Sequence, residues 1–269
     1  MNRPLSCLAL LFTLVACGGE PAPAPPAAPP PAMDLTALKQ EAEKTALVPS
    51  PSALQASLTQ AGVTQAIEEL VPARSFTFDP ARPDMVAVQT GVLLADAILT
   101  VRSAPADVLA ARLTAVKAGM KAMKAGEDID HTLDELIAQA GGPGPRDALV
   151  TSLEELHGVM IPELQFEAGD QIVPLILAGG WLEGSNLTTG ALLKAGKGDA
   201  AGSMLQQGPI CAYFLKYVDI AEKAHADDMV VKQLRATMTA LQAVAQRPAA
   251  TAADVQTVHD ETGRLLTML

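Results

Sequence analysis

An all-α, multi-helix bundle is the fold class this sequence predicts for residues 34–269, and three observations carry the prediction. Apolar residues recur with a period near 3.6 over most of the span, Ala, Leu and Met are abundant, and alternating β-branched runs are few. The stretch is some 236 residues long, enough for one domain with a sizeable core or at most two small ones.

Ahead of it stands a leader of different composition. Residues 1–16 have the layout of a secretory signal: Arg3 supplies a positive charge, Leu5 to Leu14 an apolar core, and Val15-Ala16 compact residues before Cys17. That core is too short to span a bilayer, which takes about 20 apolar residues. Leu14-Val15-Ala16-Cys17 resembles the lipobox of bacterial lipoproteins. By that resemblance the Cys17 thiol receives a diacylglycerol, the bond before it is cut, and the new amino terminus is acylated. An ordinary secretory signal with an incidental cysteine is the alternative, disfavoured by the Pro/Ala tract that begins three residues later. Gly18 follows the cysteine where an aspartate would retain lipoproteins in the inner membrane of enteric bacteria, so the resemblance favours the outer membrane. Residues 17–33 then form a tether: seven prolines between Glu20 and Met33 favour extended polyproline II, which at about 3.1 Å per residue holds a domain about 40 Å from the surface.

Asp34 caps an expected first helix to about Leu47, and Ser50-Pro51 opens a second that stops at Gly62. A short helical piece, Val63 to Leu70, precedes the loop "VPARSFTFDPARP", where the Phe76/Phe78 alternation allows a brief extended stretch. Helices are predicted at 84–102, 105–124 and 128–140, the last closed by "GGPGP". After that break the pattern predicts 146–160, a proline-bent segment over 166–193, then 209–225, 228–246 and 252–268. Thr251 and Asp254 fit a capping pair for the final helix, with Val255, Val258, Leu265 and Leu269 on one side.

The chain carries a net charge of −11, and loss of Arg3 with the signal makes it −12. So acidic a domain is a poor nucleic-acid partner. Cys7 leaves with the signal and Cys17 is modified, so Cys211 stands alone without a disulfide framework. It shares an apolar side with Phe214 and Val218 and reads as a small buried hydrophobe.

Two helices differ from the rest. "DMVAVQTGVLLADAILTVR" is apolar in nearly every direction and therefore central, yet holds Gln89 and Asp96 seven residues apart. "QIVPLILAGGWLEGSN" repeats the character, with the Gly179-Gly180 pair, the chain's single tryptophan, Trp181, and then Glu183. A glycine followed within five residues by a carboxylate, Gly91 to Asp96 and Gly180 to Glu183, suggests a duplicated helical unit. Carboxylates on apolar helices need a partner, a cation or a proton. One reading is structural: Asp96 bonds a neighbouring helix and Glu183 pairs with a lysine or arginine. The other makes Asp96, Trp181 and Glu183 the lining of a cavity for a small ligand or cation.

The segments "LVPSPSALQASLTQAG", "TGVLLADAIL" and "GGWLEGSNL" also resemble an uncharacterised family of exported bacterial all-helical proteins. The resemblance implies a helical fold and no activity, and it carries over only Asp96, Trp181 and Glu183. The chain departs from that pattern beside Asp96, where Ala95 and Ala97 replace an expected aromatic neighbour.

A further alternative is metal binding. Glu154-x-x-His157 and Glu222-x-x-His225 each place a glutamate and a histidine on one helix face. Ferritin-like dimetal bundles use two such motifs with one carboxylate from each of two other helices, parts that Asp96 and Glu183 could fill. Against it, two predicted helices separate Asp96 from Glu154, and Asp128-x-x-His131 has the same spacing with no role. Other motifs fail: "GALLKAGKGD" lacks the Ser/Thr and the preceding strand of a phosphate loop, Asn186 reads as a cap rather than a glycosylation site, and no G-x-S-x-G elbow occurs. No cofactor is implied. Two function classes remain: an envelope lipoprotein with a non-enzymatic structural or interaction domain that packs on a partner, and a helical ligand-binding domain.

Overall fold

Several helices begin where the sequence supplies a cap or a proline, as the first one shows. The computed structural model describes residues 50–269 apart from 64–66, 143, 162–163 and 165–170. The leader, the tether and the expected first helix lie outside the described residues. In α1 (Pro51–Gln60) the Ser50 hydroxyl accepts from the Ala53 amide at 3.2 Å, and Pro51 takes the first turn, where its missing N–H costs nothing. Gly62, at φ +71°, ends it in a left-handed turn that other residues rarely adopt. The carbonyls left over at that end are capped from afar: Lys197 Nζ donates to Gly62 at 2.6 Å and to Ala61 at 3.2 Å. Lys197, the lysine of the rejected phosphate-loop motif, thus ties a turn to a helix end.

A 3-10 turn (Ile67–Glu69) and the loop 70–82 lead into α2 (Pro83–Thr100), followed by α3 (Ala106–Ala122), α4 (Glu127–Gly141) and α5 (Arg146–Glu155). A π turn, Leu156–Met160, extends α5. The second half holds α6 (Ile172–Lys194), a 3-10 turn (Gly198–Ala200), the one-turn α7 (Gly202–Leu205), α8 (Gly208–Ala224), α9 (Met229–Ala245) and α10 (Ala252–Leu266). The fold is all-α, and no strand forms among the described residues. The Phe76/Phe78 stretch is loop, and both rings pack on the core. Of the expected proline-bent segment 166–193, residues 166–170 lie outside the described residues and the helix runs from Ile172. Pro174 sits in the first turn of α6, where it leaves no intrahelical bond unmade.

α2 and α6 form the centre, as their all-round apolar character requires. Every residue is buried from Val86 to Thr100 in one and from Ile172 to Ser185 in the other. Among the described residues α2 is long and apolar enough to cross a membrane, but it is the core helix, 83 % buried inside the protein. α3 covers α2 and α4 covers α3, while α10 covers α6 and joins α9, which pairs with α8. The glycine-carboxylate likeness of α2 and α6 therefore does not extend to packing order, because α2 packs on the next helix in the chain and α6 on the last. α10 starts as expected: Thr251 accepts from the Asp254 amide, and Asp254 accepts from the Thr251 amide at 2.9 Å.

Candidate functional site

The two central helices approach so closely that backbone meets backbone. A Cβ on Gly91 would stand 1.9 Å from the Ile176 carbonyl oxygen, and one on Gly179 would stand 2.1 Å from that of Val88. The contact is reciprocal: each glycine rests on the carbonyl three residues before the other. Beyond this crossing, in the C-terminal direction of both helices, lie Asp96 and Glu183, with 1 % and 0 % of their side chains accessible.

Their partner is an arginine from the 70–82 loop. Arg74 Nη2 donates to Glu183 Oε1 at 2.6 Å, and its Nε lies 3.2 Å from Asp96 Oδ2. The Arg74 side chain is itself only 13 % exposed. A second arginine, Arg112 of α3, bonds the Thr100 hydroxyl, which in turn donates to the Asp96 carbonyl at 2.6 Å. It lowers the Asp96 pKa from a distance without pairing with the carboxylate.

Burial is the main force on both carboxyls and pushes both pKa values up. The negative charge of the neighbouring Glu183 raises Asp96 further, well above the ordinary carboxylate range. The positive charge of Arg74 acts the other way on Glu183 and lowers it. Asp96 is therefore the acid of the pair and Glu183 the carboxylate facing Arg74. Oδ1 of Asp96 and Oε2 of Glu183 have no protein donor.

Trp181 stands apart. Two residues along a helix turn a side chain by about 200°, so Trp181 faces away from the site of Glu183. Its indole N–H donates to Gln207 Oε1 at 2.6 Å and its ring packs on Phe214 at 5.7 Å between centroids. The structure thus unites Asp96 with Glu183 and corrects the expectation that Trp181 lines the same cavity. Trp181 instead borders a cavity of about 10 Å³ with Ser185, Cys211 and Leu241, and burial pushes the Cys211 thiol up to about 12.

The dimetal arrangement is not formed. Glu222 pairs with Arg235, His225 Nε2 lies 3.9 Å from Asp84, and Glu154 is exposed on α5. His157 sits in the π turn, which breaks the helical spacing, and burial lowers its pKa. Among the described residues no three His, Cys, Asp or Glu side chains are placed to hold a metal ion. His131 pairs with Glu135 at 3.2 Å on the outer face of α4. Asn186 is no cap: in mid-α6 its amide donates to the His259 carbonyl and the Thr262 hydroxyl, both at 3.0 Å, joining α6 to α10. Gln89 donates to the Leu269 carbonyl at 2.7 Å.

Outside the carboxylate pair, a cleft of about 250 Å³ opens between the starts of α2 and α6 and the end of α8, bordered by Pro83, Asp84, Gln171, Ile172, Leu175 and His225. Arg82 grips Asp84 at its edge through two bonds, at 3.0 and 3.1 Å, and also holds Asp228, the cap of α9. Comparison of the chain with protein-family models, with curated proteins and with solved structures finds no match.

Proposed function

We propose that this protein is a lipid-anchored component of the bacterial cell envelope, held to the outer membrane through acylated Cys17. Its helical domain would serve as a structural or interaction module, not as an enzyme. The observation that carries the proposal is the order of segments in the leader: an apolar core, then Leu-Val-Ala-Cys, then a proline-rich tract. A diacylglycerol and an amide-linked chain on one cysteine supply the more than one acyl chain that stable anchoring needs. An extended tether then sets an acidic domain, which anionic headgroups repel, away from the surface.

For the domain, support comes from the use of its two central carboxylates. Both are closed off from solvent and in contact with Arg74, which suits a group that holds helices together better than one that meets a substrate. The partner would be another envelope protein. Replacing Cys17 with serine tests the anchor: the Cys17→Ser chain is expected to lack lipid mass and to leave the membrane fraction in detergent-free extraction. Retention of that variant in the membrane overturns the proposal.

A further inference from the structure

Three charged side chains meet at the α2–α6 crossing, and their formal charges do not balance. Arg74 brings one positive charge; Asp96 and Glu183 bring two negative ones, with 1 % and 0 % exposure. An unbalanced charge so far from water costs several kcal/mol or takes up a counter-charge. The remaining arginine nearby, Arg112, is committed to the Thr100 hydroxyl and pairs with neither carboxylate. Each carboxyl has one oxygen without a protein donor, Oδ1 on Asp96 and Oε2 on Glu183, and the two groups are neighbours on one guanidinium, Asp96 Oδ2 3.2 Å from Arg74 Nε and Glu183 Oε1 2.6 Å from Nη2.

We propose that Asp96 and Glu183 bind a single proton between them, and that this proton completes the latch by which Arg74 holds the 70–82 loop on the central helices. In that state Asp96 is a neutral acid donating its O–H to the Glu183 carboxylate, Glu183 accepts from Arg74 as well, and the site is electrically neutral. The charged groups that reach it from the surrounding elements are Arg74 from the loop and Arg112 from α3; both are cations that stay charged at any physiological pH. A rising pH removes the proton to solvent, strands one negative charge beside the crossing, and drives the latch open. The upward shift of both carboxyls by burial agrees with this.

The sign follows from proton counting. Asp96 holds its proton in the folded state at pH values where the unfolded chain has lost it, so the stabilisation is complete below the ordinary aspartate range. It is lost progressively as pH rises toward the buried acid's own pKa. The lipid anchor plays no part in this, so the proposal stands or falls independently of it.

Infrared spectroscopy of the full chain at pH 7 is expected to show the carbonyl stretch of a protonated buried carboxylic acid, and Asp96→Asn to remove it. Over the pH range in which the acid is retained, the unfolding constant of the parent should rise by up to about tenfold per pH unit more than that of Asp96→Asn, one proton being released on unfolding. Amide protection within residues 70–82 should fall with pH in the parent and stay level in the variant. A parent spectrum without the acid band, a pH slope equal in the two proteins, or loop protection indifferent to pH overturns the proposal. Should Asp96→Asn fail to fold, the acid band and the loop protection of the parent decide the matter alone.

Discussion

Replacing Arg74 with methionine keeps much of the aliphatic bulk of the side chain and removes its charge. What it leaves is Glu183, 0 % exposed, without the 2.6 Å bond that balances it. Removal of one partner of a buried pair costs about 3–5 kcal/mol, and the structure allows an independent figure. Glu183 can escape its isolation by taking up a second proton. From its ordinary value of 4.5 that uptake costs about 1.4 kcal/mol for each pH unit, hence about 3.4 kcal/mol at pH 7 and about 0.7 at pH 5. Arg74→Met is therefore expected to lose about 3 kcal/mol of stability at neutral pH and to regain most of it in mild acid. Urea unfolding of parent and variant at pH 5, 6 and 7 measures the difference directly. A loss under about 1 kcal/mol at pH 7, or an equal loss at all three pH values, refutes the assignment of Arg74 as the counter-ion.

Two neighbouring glycines should answer oppositely to the same change. Gly179→Ala drives a methyl group to 2.1 Å from the Val88 carbonyl oxygen and is expected to cost about 3 kcal/mol, whereas Gly180→Ala, at 3.4 Å from the Gly91 oxygen, should stay within about 1 kcal/mol of the parent; similar melting temperatures for the two variants would contradict the crossing geometry. Cys211, buried and pushed up to about 12, holds almost no thiolate at neutral pH. Its alkylation in the native protein should follow the rate of unfolding, and rapid labelling without unfolding would show the thiol to be exposed.

Much of this architecture is legible locally, because helix period, caps and breaks are properties of adjacent residues. Thr251 and Asp254 form their box within one turn, Ser50-Pro51 opens α1, and the all-round apolar faces of α2 and α6 announce central helices. The burial of Asp96 and Glu183 follows from the same pattern. Their partner does not, since Arg74 is 109 residues from Glu183 and lies in a proline-bounded loop without periodicity. The one available signal was charge: two carboxylates on buried helices require a cation, and "VPARSFTFDPARP" offers two arginines beside α2. Proximity in sequence misled elsewhere. Trp181 and Glu183 are two residues apart and face different sides of α6, and the His157 spacing is lost in a π turn. The 3-10 turn Gly198–Ala200 and α7 are too short for a 3.6-residue period to register.

The apolar uniformity of α2 and α6 raises a problem that the carboxylates resolve. A helix with one apolar stripe is oriented by burial, but a helix apolar on every face gains nearly the same from burial at any rotation about its axis. Hydrophobic contact alone would leave the central pair free to settle in several registers of similar energy. Gly91 and Gly179 admit the close crossing, since a side chain at either would meet the opposing backbone. Glu183 then penalises any rotation that carries it away from Arg74 by the cost of an unpaired buried charge, several kcal/mol, and Asp96 adds the smaller cost of a buried acid left without a partner. An apolar triad in their place could stabilise the bundle as much or more, but it would discriminate less between rotations. Three ionisable side chains in the core thus supply what the apolar pattern of the two central helices lacks, a large energy difference between the native crossing and its neighbours.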